Sequence, residues 1–320
     1  MDGVFLDLDT VSFHDDVELA PLREVLTELS IFGSTASADL RTRLAGAEVI
    51  LTNKVKLDAA ALATAASAGV RLVCIAATGV NNVDLAAART HGIAVCNVPA
   101  YSTLSVAQHV FALLLSVTQH LPEYTALLAQ GAWRRAPQFT LLDHPIRELA
   151  GKTLGILGYG DTGKAVTKLG EAFGMRVLIA ARDAADARPG RVPLAVLLPQ
   201  VDVLSIHVPL LPETRGLIGR EQLALMRPDA VIVNCARGGI VEEQALADAL
   251  RAGKLGGAGI DVLSEEPPVH GNPLLEPGIP NLIVTPHIAW ATRDARQRVI
   301  IEIAANIEAF RQGEIRNRLI

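Results

Sequence analysis

The sequence predicts an α/β protein built from two doubly wound parallel sheets. Three observations lead there. The chain has 320 residues, room for two ordinary domains that each bury a core without covalent staples. Short Val/Ile/Leu/Ala runs alternate with longer helical stretches, the signature of parallel strands joined by crossover helices. That alternation occurs in two series, one before residue 100 and one beginning at Gly151.

In the first series VFLDL, AEVILT, RLVCIAA and IAVCNV are the strand candidates. The run TLSVAQHVFALLLSVTQ, up to Gln119, is apolar nearly all round and reads as a helix buried between layers. The second series supplies TLGILG, MRVLIAA, VDVLSIHV, AVIVNCA, GGAGIDV and LIVTPH, matching a dinucleotide-binding Rossmann fold of about six strands. Between Thr292 and Phe310, the residues Val299, Ile300, Ile303, Ile307 and Phe310 recur at helical spacing and give one apolar face. Docking that helix on the N-terminal domain makes the latter discontinuous: residues 1–100 plus 289–320, against 101–288 for the nucleotide-binding domain. The irregular stretch is 132–150, WRRAPQFTLLDHPIRELAG.

Bulk properties narrow the function. Half the residues are apolar and 20% are charged, with a net charge of −5 and no basic run. Nucleic acid is therefore not an expected partner, because phosphate binding needs clustered Lys and Arg. Cys74, Cys96 and Cys235 lie inside apolar runs without metal-ligand spacing, so reduced buried thiols and no metal are expected. Asp2, Asp7 and Asp9 stand where a secretion signal needs basic residues, and the longest apolar run, near Val110 to Val117, is far short of a bilayer span. The expectation is a cytoplasmic protein with no membrane partner.

Gly158, Gly160 and Gly163 in GYGDTG follow a strand and open a helix, with Asp161 and Thr162 at its start. In that setting the glycines provide a tight turn, close approach to a pyrophosphate, and close helix–strand packing, while the helix N-terminus faces the anion. A glycine-rich turn without ligand is the competing reading. At the end of the next strand, where an NAD site has Asp or Glu for the ribose hydroxyls, this chain has Ala181 and Arg182. Without the carboxylate a 2′-phosphate is not repelled, and the guanidinium pairs with it. NADP(H) is the expected cofactor; Asp183, one step away, keeps NAD(H) possible.

Three further segments bear chemistry, each after a strand: NCARGG, DVLSEEPP and TPHIAW, with Arg237, Glu266 and His287. Carboxyl ends of strands line the crevice of a doubly wound sheet, so the three are expected to converge. The ordered set ATGVNNVD, GYGDTG, HVPLLPET, NCARGGIVEE, DVLSEEPP and TPHIAW resembles the D-isomer-specific 2-hydroxyacid dehydrogenase family over nearly the whole chain. Within it, FLDLDT, ILTNKV, DHPIRELAGKTLGILG and TPHIAW resemble the glycerate dehydrogenase/hydroxypyruvate (glyoxylate) reductase branch.

The resemblance implies a nicotinamide cofactor domain, a flavodoxin-like substrate domain, and hydride transfer to or from a small 2-keto or 2-hydroxy acid. In that scheme His287 gives the proton, Glu266 orients its ring, and the planar fork of Arg237 anchors the substrate. Backbone amides of Thr78 and Gly79 bind the substrate carboxylate, placing the substrate between the domains. Cofactor contacts are implied at His207, Val208 and Pro209, at Cys235 and Ala236, at Asp261, and at His287 and Ala289. Relatives also imply a homodimer built on the cofactor domain, with 132–150 contributing.

Plainer readings stand beside these: a satisfied histidine, an ion-paired arginine, a solvated loop glutamate. His109 reads as a core residue on its apolar helix. Many relatives have a glycine pair where this chain has Ala289 and Trp290, so Trp290 either walls the pocket for small acids or packs at the domain junction. No tyrosine has Lys four residues on, which excludes short-chain reductases, and the phosphate loop lies too far from the start for an L-lactate-type enzyme. A non-catalytic NAD(P)-binding sensor or corepressor-like protein remains the alternative, since fold alone does not decide function.

Overall fold

The computed structural model describes residues 1–183, 185–186 and 188–320. The chain divides into two units, Met1–Ser102 with Trp290–Ile320, and Thr103–Ala289.

In the first unit, β1 (Gly3–Phe5), β2 (Leu29–Ile31), β3 (Val49–Thr52), β4 (Leu72–Ile75) and β5 (Ala94–Cys96) form one parallel sheet in the order β2-β1-β3-β4-β5. This is the flavodoxin-like order. Successive side chains of a strand point to opposite faces, so these continuous apolar runs supply two cores. Phe5, Val49, Leu51, Leu72 and Cys74 enter one, with Val299, Ile300, Ile303 and Ile307 from the helix Arg293–Arg311. Val4, Leu6, Ile50, Val73 and Ile75 enter the other, beneath Leu62 and Ala65 of the helix Ala59–Ala68.

Strand β2 has no counterpart among the sequence candidates. It is three residues long, with Ser30 exposed at its centre, too short and polar to register as an apolar run. The far edge is covered by the C-terminal tail: Leu319 donates its N–H to Val95 O at 2.8 Å, and Arg318 bridges Cys96 in antiparallel fashion. Beyond β1, the buried carboxylate of Asp7 accepts the N–H groups of Asn53, Lys54 and Val55, pinning the loop after β3.

The second unit contains β6 (Thr153–Leu157), β7 (Arg176–Ala180), β8 (Arg191–Val192), β9 (Val203–Ile206), β10 (Val231–Asn234), β11 (Gly257–Ile260) and β12 (Leu282–Val284), ordered β12-β11-β10-β9-β6-β7-β8. Every pairing is parallel. Six of these strands match the expected runs; β8, two residues long, is below the length at which a pattern shows. Leu154, Ile156, Val203, Val231 and Val233 pack against Val110, Leu113, Leu114 and Val117 of the helix Thr103–Thr118. That helix lies close because β11 is glycine-rich: a Cβ on Gly259 would stand 2.7 Å from Cβ of Leu113. On the opposite face Leu204, Ile206, Ile232 and Ile260 meet Leu246 and Leu250 of the helix Glu243–Arg251.

Chain order reverses at β6, which has β7 on one side and β9 on the other. Ligands of doubly wound sheets bind outside the strand carboxyl ends at that switch point. Among the described residues no single helix is long and apolar enough to cross a membrane.

Candidate active site

The switch point is occupied by GYGDTG, and its glycines have three different physical reasons. Gly158 sits at φ +99°, and a Cβ there would fall 2.6 Å from the backbone carbon of His207, so the turn presses against the loop after β9. A Cβ on Gly163 would lie 2.1 Å from the carbonyl oxygen of Gly158, so only glycine lets the helix Asp161–Ala172 start there. At Gly160, the N-cap of that helix, a Cβ would meet nothing within 4 Å, and no side chain caps the helix. Open space in front of uncapped helix amides is a cradle that fits a pyrophosphate. Asp161 and Thr162 form the first turn, as expected.

At the end of β7, Ala181 donates its N–H to Val192 O at 2.8 Å and Arg182 its own to Asp186 at 2.8 Å. The Arg182 side chain is exposed, and among the described residues no ion pair engages it. Its neighbours are committed: Arg188 pairs with Asp186 at 2.6 Å, which holds that carboxyl well below the usual range, and Arg191 lies 4.8 Å over the Tyr159 ring. After β9, His207 meets Ser205 Oγ at 2.8 Å, and burial pushes its imidazole down to about 4, so the ring is neutral near neutral pH. Val208 and Pro209 follow, the Pro209 carbonyl accepting the Thr214 hydroxyl at 2.6 Å.

Beyond β10, the buried side chain of Asn234 receives the Ala236 N–H at 3.0 Å and donates to the Arg237 carbonyl at 2.9 Å, folding the loop that presents Arg237. The exposed guanidinium is tied at Nη1 to the Ala236 carbonyl, 2.7 Å away. Cys235 faces inward, and burial, helped by the nearby Asp261 charge, pushes its thiol up, so the group is an inert core thiol.

Glu266 and His287 do meet: Oε2 lies 2.6 Å from Nδ1. The other carboxylate oxygen of Glu266 accepts the Leu263 N–H at 2.9 Å. Leu263, Pro267, Pro268 and Val284 line a cavity of about 350 Å³ beside the pair. His287 has φ +55°, a left-handed conformation costing a non-glycine residue about 1–2 kcal/mol.

Asp261 offsets that strain. Its carbonyl accepts the His287 N–H at 2.8 Å, and its carboxylate takes the N–H groups of Ile288 and Ala289, both at 2.9 Å, and the Thr285 hydroxyl at 2.5 Å. Burial works to raise this carboxyl, but hydrogen bonds from His109, Thr285, Ala289 and Ile288 outweigh it and leave the group below its ordinary value. The hydroxyl of Thr285 has one proton, given to Asp261, so at 3.0 Å it accepts from Nε2 of His109. Asp261 and Ala289 were expected at the cofactor. Both are buried, Ala289 giving its N–H to Asp261 while its carbonyl accepts the Ser105 hydroxyl at 2.6 Å, so their observed partners belong to the turn that aims His287. His109, expected as a plain core residue, belongs to the same network; only the 176-residue separation from Thr285 hid it.

The remaining expected residues belong to the first unit. Thr78, after β4, donates its hydroxyl to the Val98 carbonyl at 2.9 Å and accepts the Asn97 amide at 2.8 Å, bracing the turn that includes Gly79. Trp290 stacks edge-on to Tyr101 with ring centroids 6.4 Å apart and packs against that unit's core.

Known proteins share this fold and much of this sequence. The profile of the D-isomer specific 2-hydroxyacid dehydrogenase NAD binding domain matches residues 111–289. A glycerate dehydrogenase of Methylorubrum extorquens is 44% identical over 277 residues, 86% of each chain. A hydroxypyruvate reductase of Blautia hydrogenotrophica is 38% identical over 299 residues, 91% of each. The crystal structure of the TT0316 protein from Thermus thermophilus superposes with a TM-score of 0.83 at 34% identity, covering 100% of both chains. With the phosphate cradle, the doubly wound sheet and the His–Glu pair already in place, these matches settle the family: the chain belongs to the D-isomer-specific 2-hydroxyacid dehydrogenases.

Proposed function

We propose that this dehydrogenase reduces a small 2-keto acid of the hydroxypyruvate or glyoxylate kind, forming D-glycerate or glycolate, with NADPH preferred over NADH. The observation that carries the reading is the 2.6 Å contact between Glu266 and Nδ1 of His287, in the unit whose sheet also bears the phosphate cradle. When bound, the reduced nicotinamide supplies hydride to the keto carbon. The forming alkoxide needs a proton, and Nε2 of His287 is the ring nitrogen left to deliver it once Nδ1 is held by Glu266. The Glu266 carboxylate fixes the ring's orientation through Nδ1. Arg237 has the donor fork to hold the substrate's keto oxygen and carboxylate, and the Thr78 and Gly79 amides are the further carboxylate contacts.

The NADP(H) preference rests on Ala181 and on the exposed Arg182 guanidinium, unpaired among the described residues. Hydrogen bonds to charged groups are worth about 1.5–3 kcal/mol. Arg182→Ala is therefore expected to weaken NADPH on the order of tenfold while leaving NADH unchanged. The reading is tested by following reduced-cofactor absorbance with a panel of 2-keto acids and both cofactors. A clear wild-type preference for NADH overturns the cofactor assignment. Cofactor binding without turnover on any 2-keto acid favours the sensor or corepressor-like reading.

A homodimer joined through the nucleotide-binding unit completes the proposal. In the 132–150 stretch Phe139 is 90% exposed and Leu142 76%, beside exposed Trp133 and Ile146. Such a cluster on one segment marks a protein contact. Light scattering is expected to give twice the chain mass, and charged substitutions at Phe139 and Leu142 to halve it; a monomeric wild type contradicts the assignment.

A further inference from the structure

We propose that Glu243 is a positioning residue for proton transfer, its carboxylate latching both ends of the loop that presents Glu266 to His287. The inference rests on the roles given above to those two residues. Glu243 begins the helix Glu243–Arg251, and the buried side chains of Leu246 and Leu250 anchor that helix in the core, so the carboxylate projects from a rigid root.

Its Oε1 accepts the Ser264 N–H at 2.6 Å. Its Oε2 accepts the Ser264 hydroxyl and the Asn272 side-chain amide, both at 2.7 Å. Ser264 stands two residues before Glu266 and Asn272 six after it, so one carboxylate ties down both sides of the loop. Asn272 is itself fixed, since its Oδ1 accepts the N–H of the buried Leu274 at 2.9 Å. Bonds to an ionised acceptor are about twice as strong as neutral ones, and here three converge on one group. The same loop also has an ion pair, Glu265 with His270 at 2.7 Å, but its histidine is 84% exposed, and such pairs contribute about 0–1 kcal/mol. Unlike that pair, the Glu243 contacts tie the loop to the helix Glu243–Arg251.

The latch adjoins the chemistry directly. Leu263, next to Ser264, donates the N–H that holds one oxygen of Glu266, whose other oxygen meets His287. The Arg237 loop abuts the same two residues: a Cβ on Gly238 would lie 1.9 Å from the Leu263 oxygen and 2.5 Å from the Ser264 nitrogen. Ser264 is thus wedged between the loop of Arg237 and the carboxylate of Glu243, and this contact sets the register between substrate anchor and proton donor.

In the full-length enzyme, Glu243→Ala is expected to lower kcat about tenfold to a hundredfold, as misplaced reacting groups do, with the NADPH dissociation constant unchanged. Glu243→Gln, which retains an acceptor for Ser264, is expected to recover most of the rate. In a Glu266→Gln background Glu243→Ala is expected to add little, since both act along one path. Ser264→Ala, which deletes only the hydroxyl contact, provides a milder variant should Glu243→Ala not fold; it is expected to show a smaller loss of kcat that Glu266→Gln likewise masks. A loss of thermal stability with kcat unchanged, or losses that multiply in the double variant, overturns the latch. His287→Asn run alongside separates the two failures: retained turnover there removes the proton-transfer reading and the latch with it, whereas lost turnover there with kcat unchanged in the Glu243 and Ser264 variants removes the latch alone.

Discussion

His287→Asn is expected to lower kcat for keto-acid reduction about a thousandfold while leaving the NADPH dissociation constant unchanged. General acid catalysis by a positioned side chain is worth about 10²–10⁴ in rate, and a thousandfold corresponds to about 4 kcal/mol of activation free energy. Asn is the informative replacement because of the backbone. At φ +55° the position is left-handed, which Asn tolerates far better than Ala. Its amide can also donate toward Glu266, preserving the local bond at 2.6 Å in the parent, yet it cannot release a proton. A loss in this variant therefore reports missing chemistry and not a collapsed turn. Steady-state kinetics with cofactor-binding fluorescence is the measurement. A rate within about tenfold of wild type would remove His287 from the proton-transfer step.

The second large effect is expected at Arg237. Arg237→Lys retains the charge but replaces a planar fork of five donors by a point charge on a flexible stem. The guanidinium is steadied by its bond to the Ala236 carbonyl at 2.7 Å, and the loop beneath it by the two bonds of Asn234. Lysine inherits the loop but not the two-point grip. A fall in kcat/KM of about a hundredfold or more is expected, roughly 3 kcal/mol, with kcat and KM both affected because the group holds substrate before and during hydride transfer. Full activity in Arg237→Lys would mean that a single positive charge suffices and that the anchor lies elsewhere.

Much of the framework is legible in the sequence because it is local. Strands of a parallel sheet covered on both faces are continuous apolar runs, so TLGIL and VIVN declare themselves, and the glycine spacing of GYGDTG encodes a turn spanning only six residues. Leu29–Ile31 and Arg191–Val192 escape for the opposite reason: edge strands of three and two residues have no periodicity to read. Trp290, whose two readings the sequence leaves open, meets Tyr101 edge-on at 6.4 Å, a partner too distant along the chain for any pattern to announce.

What the sequence alone determined is the fold class and the glycine pattern of the phosphate loop, and it singled out Arg237, Glu266 and His287 as candidates, since each rests on a residue type following a strand. Only the tertiary structure decided how those residues are held. The Asp261 carboxylate that supports the left-handed His287 turn, the His109–Thr285 bond at 3.0 Å that supports Asp261, and the Glu243 latch on Ser264 and Asn272 join residues between 21 and 176 positions apart. Such partners share no pattern along the chain. Their meeting is fixed by where parallel strands end side by side, and buried polar groups must find partners wherever the packed sheet brings them together.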